Sequence, residues 1–209
     1  MARKGRHKRK VKITYSIVVD GQTEVWYFQM MKKHEKLPRT DIKPELPKKK
    51  KLADQYHCVL QNGEIYDQVI WVVDFDTILK ESAQTKSGHQ SALQQFYAYL
   101  HKLKKHKNIK VLINTPCLEY WFLLHFKETN RYYSKCENTE KQLKKSFLSD
   151  YEKTEKYFKR RDNDIYLRLR PLLLKARVNA QKLGSFDISD PESAKSEMYQ
   201  ILNLLGVPF

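Results

Sequence analysis

Three acidic residues set the terms for any chemistry in this chain. Asp74 and Asp76 stand two apart behind the apolar run Gln68-Val69-Ile70-Trp71-Val72-Val73, and Glu24 stands three residues past Gly21, behind the β-branched run Ile13 to Val19. Residues two apart on an extended backbone point the same way, so Asp74 and Asp76 are expected to face together. Carboxylates held close repel one another unless a positive charge lies between them. Mg²⁺ or Mn²⁺ meets that need, because both prefer hard oxygen ligands. Ordinary structural uses exist for the same residues: an acid in a first helical turn favours the positive end of the helix dipole, and an Asp after a strand often caps the next helix. Their joint occurrence at two strand ends of one basic chain favours the chemical use. Cleavage of a phosphodiester needs carboxylates for a cation and cationic surroundings for the backbone.

The elements that must position these acids follow from periodicity. Ile13 to Val19 reads as a strand buried on both faces, stopped by the turn signal Asp20-Gly21. From Thr23, the stripe Trp26, Tyr27, Met30 and Met31 predicts a helix closing at Lys36-Leu37-Pro38. Asp41 to Leu46 contains Pro44 and suits only an edge strand, and a helix follows through Ala53, Tyr56, Val59 and Leu60. Gln68 to Val73 is a third strand. A polar stretch around Lys80 to Gly88 then leads to a helix through Leu93, Phe96, Tyr97 and Leu100. Ile109 to Ile113 is the fourth strand, and a helix with Leu118, Trp121, Phe122 and His125 follows it. Four strand–helix alternations predict an α/β fold: a mostly parallel sheet of about four strands with helices on both faces. Residues 138–183 and 190–205 read as helical, with Asp190-Pro191-Glu192 starting the last helix. The expected organisation is a mobile basic arm (1–12), an α/β domain (13–135) and a helical extension packed on it (136–209). In such sheets ligands gather beyond the carboxyl ends of the strands, where Glu24, Asp74 and Asp76 lie.

Lys and Arg outnumber Asp and Glu by 40 to 24, for a net charge of +16. An excess of that size opposes compaction and suits a polyanionic partner such as nucleic acid, although a ribosomal or membrane-surface role would use it too. The densest run is Arg3, Lys4, Arg6, Lys8, Arg9 and Lys10, followed by Lys48, Lys49, Lys50 and Lys51, and then Lys102, Lys104, Lys105 and Lys107. The first two are the candidate nucleic-acid contacts; each run alone is usually a solvated face. Tyr132, Tyr133, Tyr151, Tyr157 and Tyr166 accompany many cations in the C-terminal half, where packing between helices competes with stacking on unpaired bases. Cys58, Cys117 and Cys136 are far apart with no Cys-x-x-Cys pair, so neither a disulfide framework nor a zinc site is expected. No apolar run approaches the ~20 residues of a membrane helix, and the basic start does not lead into a secretory signal, so a cytoplasmic protein is expected.

Val18-Val19-Asp20-Gly21-Gln22-Thr23-Glu24 resembles the strand-Gly-x-x-Glu element of Toprim domains, and Asp74-Phe75-Asp76 resembles their Asp-x-Asp. The specific form resembles the RloB-like family of bacterial phage-defence proteins. Glu24 to Phe28 is similar to that family's Glu-x-x-Tyr-Phe continuation, and Asn114 to Phe126 to its Asn-Pro-x-x-Glu-x-Trp-x-Leu-Leu-His-Phe block. Asp190-Pro191-Glu192-Ser193 stands where the family has an Asn-Pro-Ser-Thr-like helix start. Two departures exist: Thr115 separates Asn114 from Pro116, and Ala194 follows Ser193. The resemblance covers about Thr14 to Leu205. It implies a Toprim-like fold with a helical extension, metal-dependent cleavage of nucleic acid, and an abortive-infection role beside a partner ATPase. It further implies Glu24 as general acid/base or metal ligand, and Asp74 and Asp76 as holders of one or two Mg²⁺ ions.

Within the Asn114–Phe126 block, Glu119 and His125 are the candidate catalytic groups. They are six apart and point in different directions on a regular helix, so Glu119, near the helix start, is the better placed, while His125 also suits a packed, hydrogen-bonded role. Trp121 and Phe122 read as core. The chain has no Walker-type loop, so ATP hydrolysis would come from another protein. Alongside the nuclease stand two other readings: a non-catalytic nucleic-acid-binding subunit of a defence complex, and primase-like or other phosphotransfer chemistry.

Overall fold

The computed structural model describes residues 12–37, 40–48 and 51–208. Its elements run β1 (Ile13–Val18), α1 (Gln22–Glu35), β2 (Thr40–Glu45), α2 (Leu52–Ile65), β3 (Gln68–Asp74), α3 (Phe75–Ala83), α4 (Ala92–Leu103) and β4 (Ile109–Thr115). They continue with α5 (Leu118–Phe126), α6 (Cys136–Ser146), α7 (Glu155–Phe158), α8 (Ile165–Leu169), α9 (Leu173–Leu183), β5 (Lys195–Ser196) and α10 (Tyr199–Leu205). The strands form one sheet in the order β2-β1-β3-β4-β5; the first four pair in parallel, and β5 lies antiparallel against the end of β4.

Strand β3 shows why its sequence is almost continuously apolar. Ile70 and Val72 face one hydrophobic cluster, shared with α1 and the helices from α5 onward, while Val69, Trp71 and Val73 face a second, shared with α2, α3 and α4. Both faces are therefore dry, as a parallel sheet requires. Pro44 sits in β2, at the sheet edge, where a missing N–H costs least.

Four features depart from the sequence reading. First, β3 passes directly into α3, so the backbone is not extended through Asp76: Asp74 ends the strand and Asp76 lies in the first helical turn. Phe75 and Ile78, three apart and both buried, give α3 its inner face, while the polar residues that suggested a loop lie on its outer side. Second, residues 136–183 break into short helices. Thr154 and Asp164 cap two of them, accepting the N–H groups of Tyr157 and Leu167 at 3.2 and 3.0 Å. Third, Asp190-Pro191-Glu192 does not start a helix. The chain there runs into β5, and α10 begins only at Tyr199. The Glu197 carboxylate clips this segment to β4 by accepting the N–H groups of Ile113 (2.9 Å) and Phe186 (3.2 Å).

The fourth is covalent. Cys117 and Cys136 form a disulfide, with Cα atoms 5.7 Å apart, and Cys58 is the free cysteine. A separation of 19 residues carries no pairing signal; the bridge arises because the start of α5 and the start of α6 meet in space. No helix among the described residues is long and apolar enough to cross a membrane.

Candidate metal centre at the carboxyl edge of the sheet

The register brings the carboxyl ends of three strands to one edge. Val18 of β1 pairs with Trp71 of β3, and Asp74 of β3 pairs with Asn114 of β4. Just beyond these pairs, Asp20, Glu24 and Asp74 each present a carboxylate oxygen, all within 4.8 Å of one another. They open on a cleft of about 210 Å³, whose wall includes Asp76, Lys80, Cys136 and Lys153. At roughly 30 Å³ per water, that volume accommodates a hydrated cation. Ligand oxygens on an ion with bonds of ~2.1 Å lie at most about 4.2 Å apart, so small side-chain rotations would complete the set. An all-oxygen, anionic donor set fits Mg²⁺ or Mn²⁺.

Each acid is held by its element. Gly21 precedes α1 with an extended backbone, and its requirement is space: a Cβ there would collide with Glu24 Oε2. Glu24 folds back over the first turn of α1, where Thr23 Oγ1 donates to it at 3.0 Å. Asp74 occupies the N-cap position of α3 without making a side-chain cap hydrogen bond, so the capping role open to such an Asp is not the one it takes. Instead Asn114 Nδ2 donates to Asp74 Oδ1 at 3.4 Å, and Ser196 Oγ fixes Asn114 by donating to its Oδ1 at 2.8 Å. The peptide bond from Thr115 to Pro116 is cis.

The cluster is electrostatically loaded. Burial, followed by the charges of Asp20 and Glu119, pushes the Glu24 carboxyl up to about 8. Burial, then Glu24, Asp20, Glu119 and Asp76, raise Asp74 well above the carboxylate range. Without a cation Glu24 holds its proton at neutral pH, and a divalent ion would displace it.

The other predicted groups are distributed around this centre. Asp76 lines the cleft but is engaged by Lys80 Nζ at 2.9 Å and by the backbone N–H of Cys136 at 3.1 Å. Glu119, in the first turn of α5, is buried behind it. Tyr151 donates to Glu119 Oε1 at 2.7 Å, Lys153 Nζ lies 2.8 Å from the same oxygen, and Cys136 Sγ lies 2.8 Å from Oε2. His125 does not line the cleft. Its ring is fully buried, packs edge-on to Trp121, and donates from Nδ1 to the Trp121 carbonyl at 2.9 Å, while Nε2 has no partner. Burial lowers its pKa to about 4, so it is a neutral core histidine. Two cations that the sequence did not single out line the cleft. Burial disfavours the charge on Lys80 and Lys153, yet Asp76 beside Lys80 and Glu119 beside Lys153 hold both above the ordinary lysine value. Asp20, too, read only as a turn residue, although it stands just past a buried strand, four residues before Glu24 closes Gly-x-x-Glu.

The predicted nucleic-acid contacts Arg3, Lys4, Arg6, Lys8, Arg9, Lys10, Lys49 and Lys50 lie outside the described residues. Lys48 and Lys51 are exposed and do not line the cleft. Tyr133, Tyr151, Tyr157 and Tyr166 are buried, and Tyr132 is half-buried. A second potential ligand group, Cys117, Glu119 and Cys136, offers no thiolate while its sulfurs are bonded to each other.

The model of the family described as RloB-like protein matches residues 15–205. No curated protein and no solved structure matches the chain. The family match runs from β1 through α10 and takes in every carboxylate of the cleft, so this chain belongs to the RloB-like protein family.

Proposed function

We propose that the protein is a divalent-cation-dependent nuclease that cleaves phosphodiester bonds of DNA or RNA, with transfer RNA among the candidates. The observation that carries this reading is the meeting of Asp20, Glu24 and Asp74 oxygens in one cluster, in which Glu24 and Asp74 are raised above the ordinary carboxylate range. A bound Mg²⁺ or Mn²⁺ supplies polarisation of a phosphate oxygen and a water of lowered pKa. Asp20, Glu24 and Asp74 would hold the ion, and Asn114, which donates to Asp74, would keep that carboxylate in place for it. Lys80 and Lys153 set ammonium groups on the cleft wall, where they stabilise the charge that builds on a phosphate during displacement. Asp76 and Glu119 anchor those lysines. His125, buried in the core, takes no part.

Membership of the RloB-like family points to a setting in bacterial defence. In this reading cleavage serves abortive infection and is coupled to an ATPase on another chain, because no Walker-type loop occurs here.

The test mixes the purified full chain with plasmid DNA and with transfer RNA, in Mg²⁺, in Mn²⁺ and in EDTA. Cleavage that requires the metal and is lost in Glu24→Gln and Asp74→Asn is the expected result. Tight binding without cleavage, indifferent to both substitutions, would instead make the chain a non-catalytic nucleic-acid-binding subunit.

A further inference from the structure

Helix α6 begins in the carboxylate cleft and leads out of it. Cys136 and Glu137, its first two residues, line the cleft. Beyond them Asn138, Lys141, Gln142 and Lys145 follow at i, i+3, i+4 and i+7, which places four hydrogen-bond donors along one helix face. Together with Arg131 and Tyr132 of the preceding segment, this face walls a groove of about 400 Å³. Among the described residues no carboxylate lines it, in contrast to the cleft next door. Its cations are also uncompensated. Lys144, on another side of α6, pairs with Glu140 at 2.9 Å, whereas Lys141 and Lys145 make no ion pair among the described residues. The two spaces adjoin, since residues 134 and 138 line one and residues 136 and 137 the other. Burial, then the charge of Glu192 and after it that of Asp76, raise the Tyr132 hydroxyl above its ordinary value, so Asp76 is within electrostatic reach across that boundary.

We propose that this groove is the track along which a single strand of nucleic acid reaches the carboxylate cleft. Lys141 and Lys145 are one turn apart, about 6 Å along the axis, so each faces a different phosphate. Arg131, whose guanidinium lies over the Tyr133 ring, supplies a third cation to the lining. Of Tyr132, Tyr133, Tyr151, Tyr157 and Tyr166, Tyr132 alone is not packed away, and its face serves an unpaired base, which every sequence provides. A trough bounded by one helix face and one chain segment admits a single line of phosphates; the stacking platform has no use for a base already paired. This inference rests on the nuclease reading for its direction of travel, but binding along the track does not require cleavage.

The experiment measures anisotropy of labelled single-stranded DNA and RNA of equal length on the full chain in EDTA, with matched duplexes as competitors. In Lys141→Glu/Lys145→Glu, single-strand affinity should fall at least tenfold, and the slope of log affinity against log salt should shrink by about 1.4. Tyr132→Ala should lose about tenfold at unchanged charge, and Tyr132→Phe should restore it. A control reversal of exposed charge in the last turn of α4 and just beyond it, Lys102→Glu/Lys105→Glu, should stay within about twofold. The DNA and RNA arms report which sugar the track prefers. Equal losses in the test and control pairs, unchanged affinity in Tyr132→Ala, or duplex competing as well as single strand would each overturn the track. If wild type binds as described yet never cleaves when Mn²⁺ replaces EDTA, the nuclease reading fails and the track stands. If it cleaves while the variants bind normally, the reverse holds.

Discussion

Raising the pH should tighten divalent-cation binding, because the ion must displace protons that the folded protein holds. Glu24 ordinarily titrates at 4.5 and is pushed up to about 8 in the fold, first by burial and then by Asp20 and Glu119. At pH 7 a group with that pKa is about 90% protonated, and removing its proton costs about 1.4 kcal/mol, a tenfold penalty on affinity. Affinity should therefore climb about tenfold per pH unit from roughly pH 6 to 8, and more steeply where Asp74 also gives up a proton. The same displacement governs stability. The folded pKa of Glu24 lies above its unfolded value, so between about 4.5 and 8 the native state binds more protons than the unfolded state. Stability of the cation-free protein then falls as pH rises through that window, by up to ~4 kcal/mol. A saturating divalent ion should abolish the trend, because the ion-bound native state no longer carries that proton. Calorimetric titration with Mn²⁺ in buffers of different ionisation enthalpy counts the protons released, with about one or more expected at pH 7. Affinity that is flat from pH 6 to 8 with no proton release would refute the argument, as would unchanged behaviour in Glu24→Gln.

Three further outcomes follow from particular contacts. Gly21→Ala drives a methyl into Glu24 Oε2 and should weaken Mn²⁺ binding about tenfold or more, checked by the same titration. Glu119→Ala strips Tyr151 and Lys153 of their shared acceptor and should cost roughly 2–3 kcal/mol in denaturant unfolding. His125→Phe should shift the melting temperature and leave Mn²⁺ affinity within about twofold, since His125 sits outside the cleft.

Much of this arrangement was legible from the chain alone. Ile13 to Val19 and Gln68 to Val73 are apolar enough to demand cover on both faces, and that demand fixes a parallel sheet whose carboxyl edge carries Glu24 and Asp74. What stayed hidden depended on contacts between distant segments. Asp76 could be recognised as an acid, but its direction changed because Phe75 and Ile78 found a buried face and started α3 at once. Strand β5 is two residues long, and it is held by Glu197 reaching β4, which no periodicity records. The disulfide depends on α5 and α6 starting side by side. Asp20 looked like half of an Asp-Gly turn, and Lys153 like one of 40 basic residues. Only the folded chain sets Lys153 against Glu119.

Whether one ion bridges the carboxyl edge can be seen directly. Crystals of the full chain soaked in Mn²⁺ and measured for anomalous scattering should show a peak ~2.2 Å from oxygens of Asp20, Glu24 and Asp74, abolished in Asp74→Asn. A map empty between those three side chains, or a peak on other residues alone, would contradict the account.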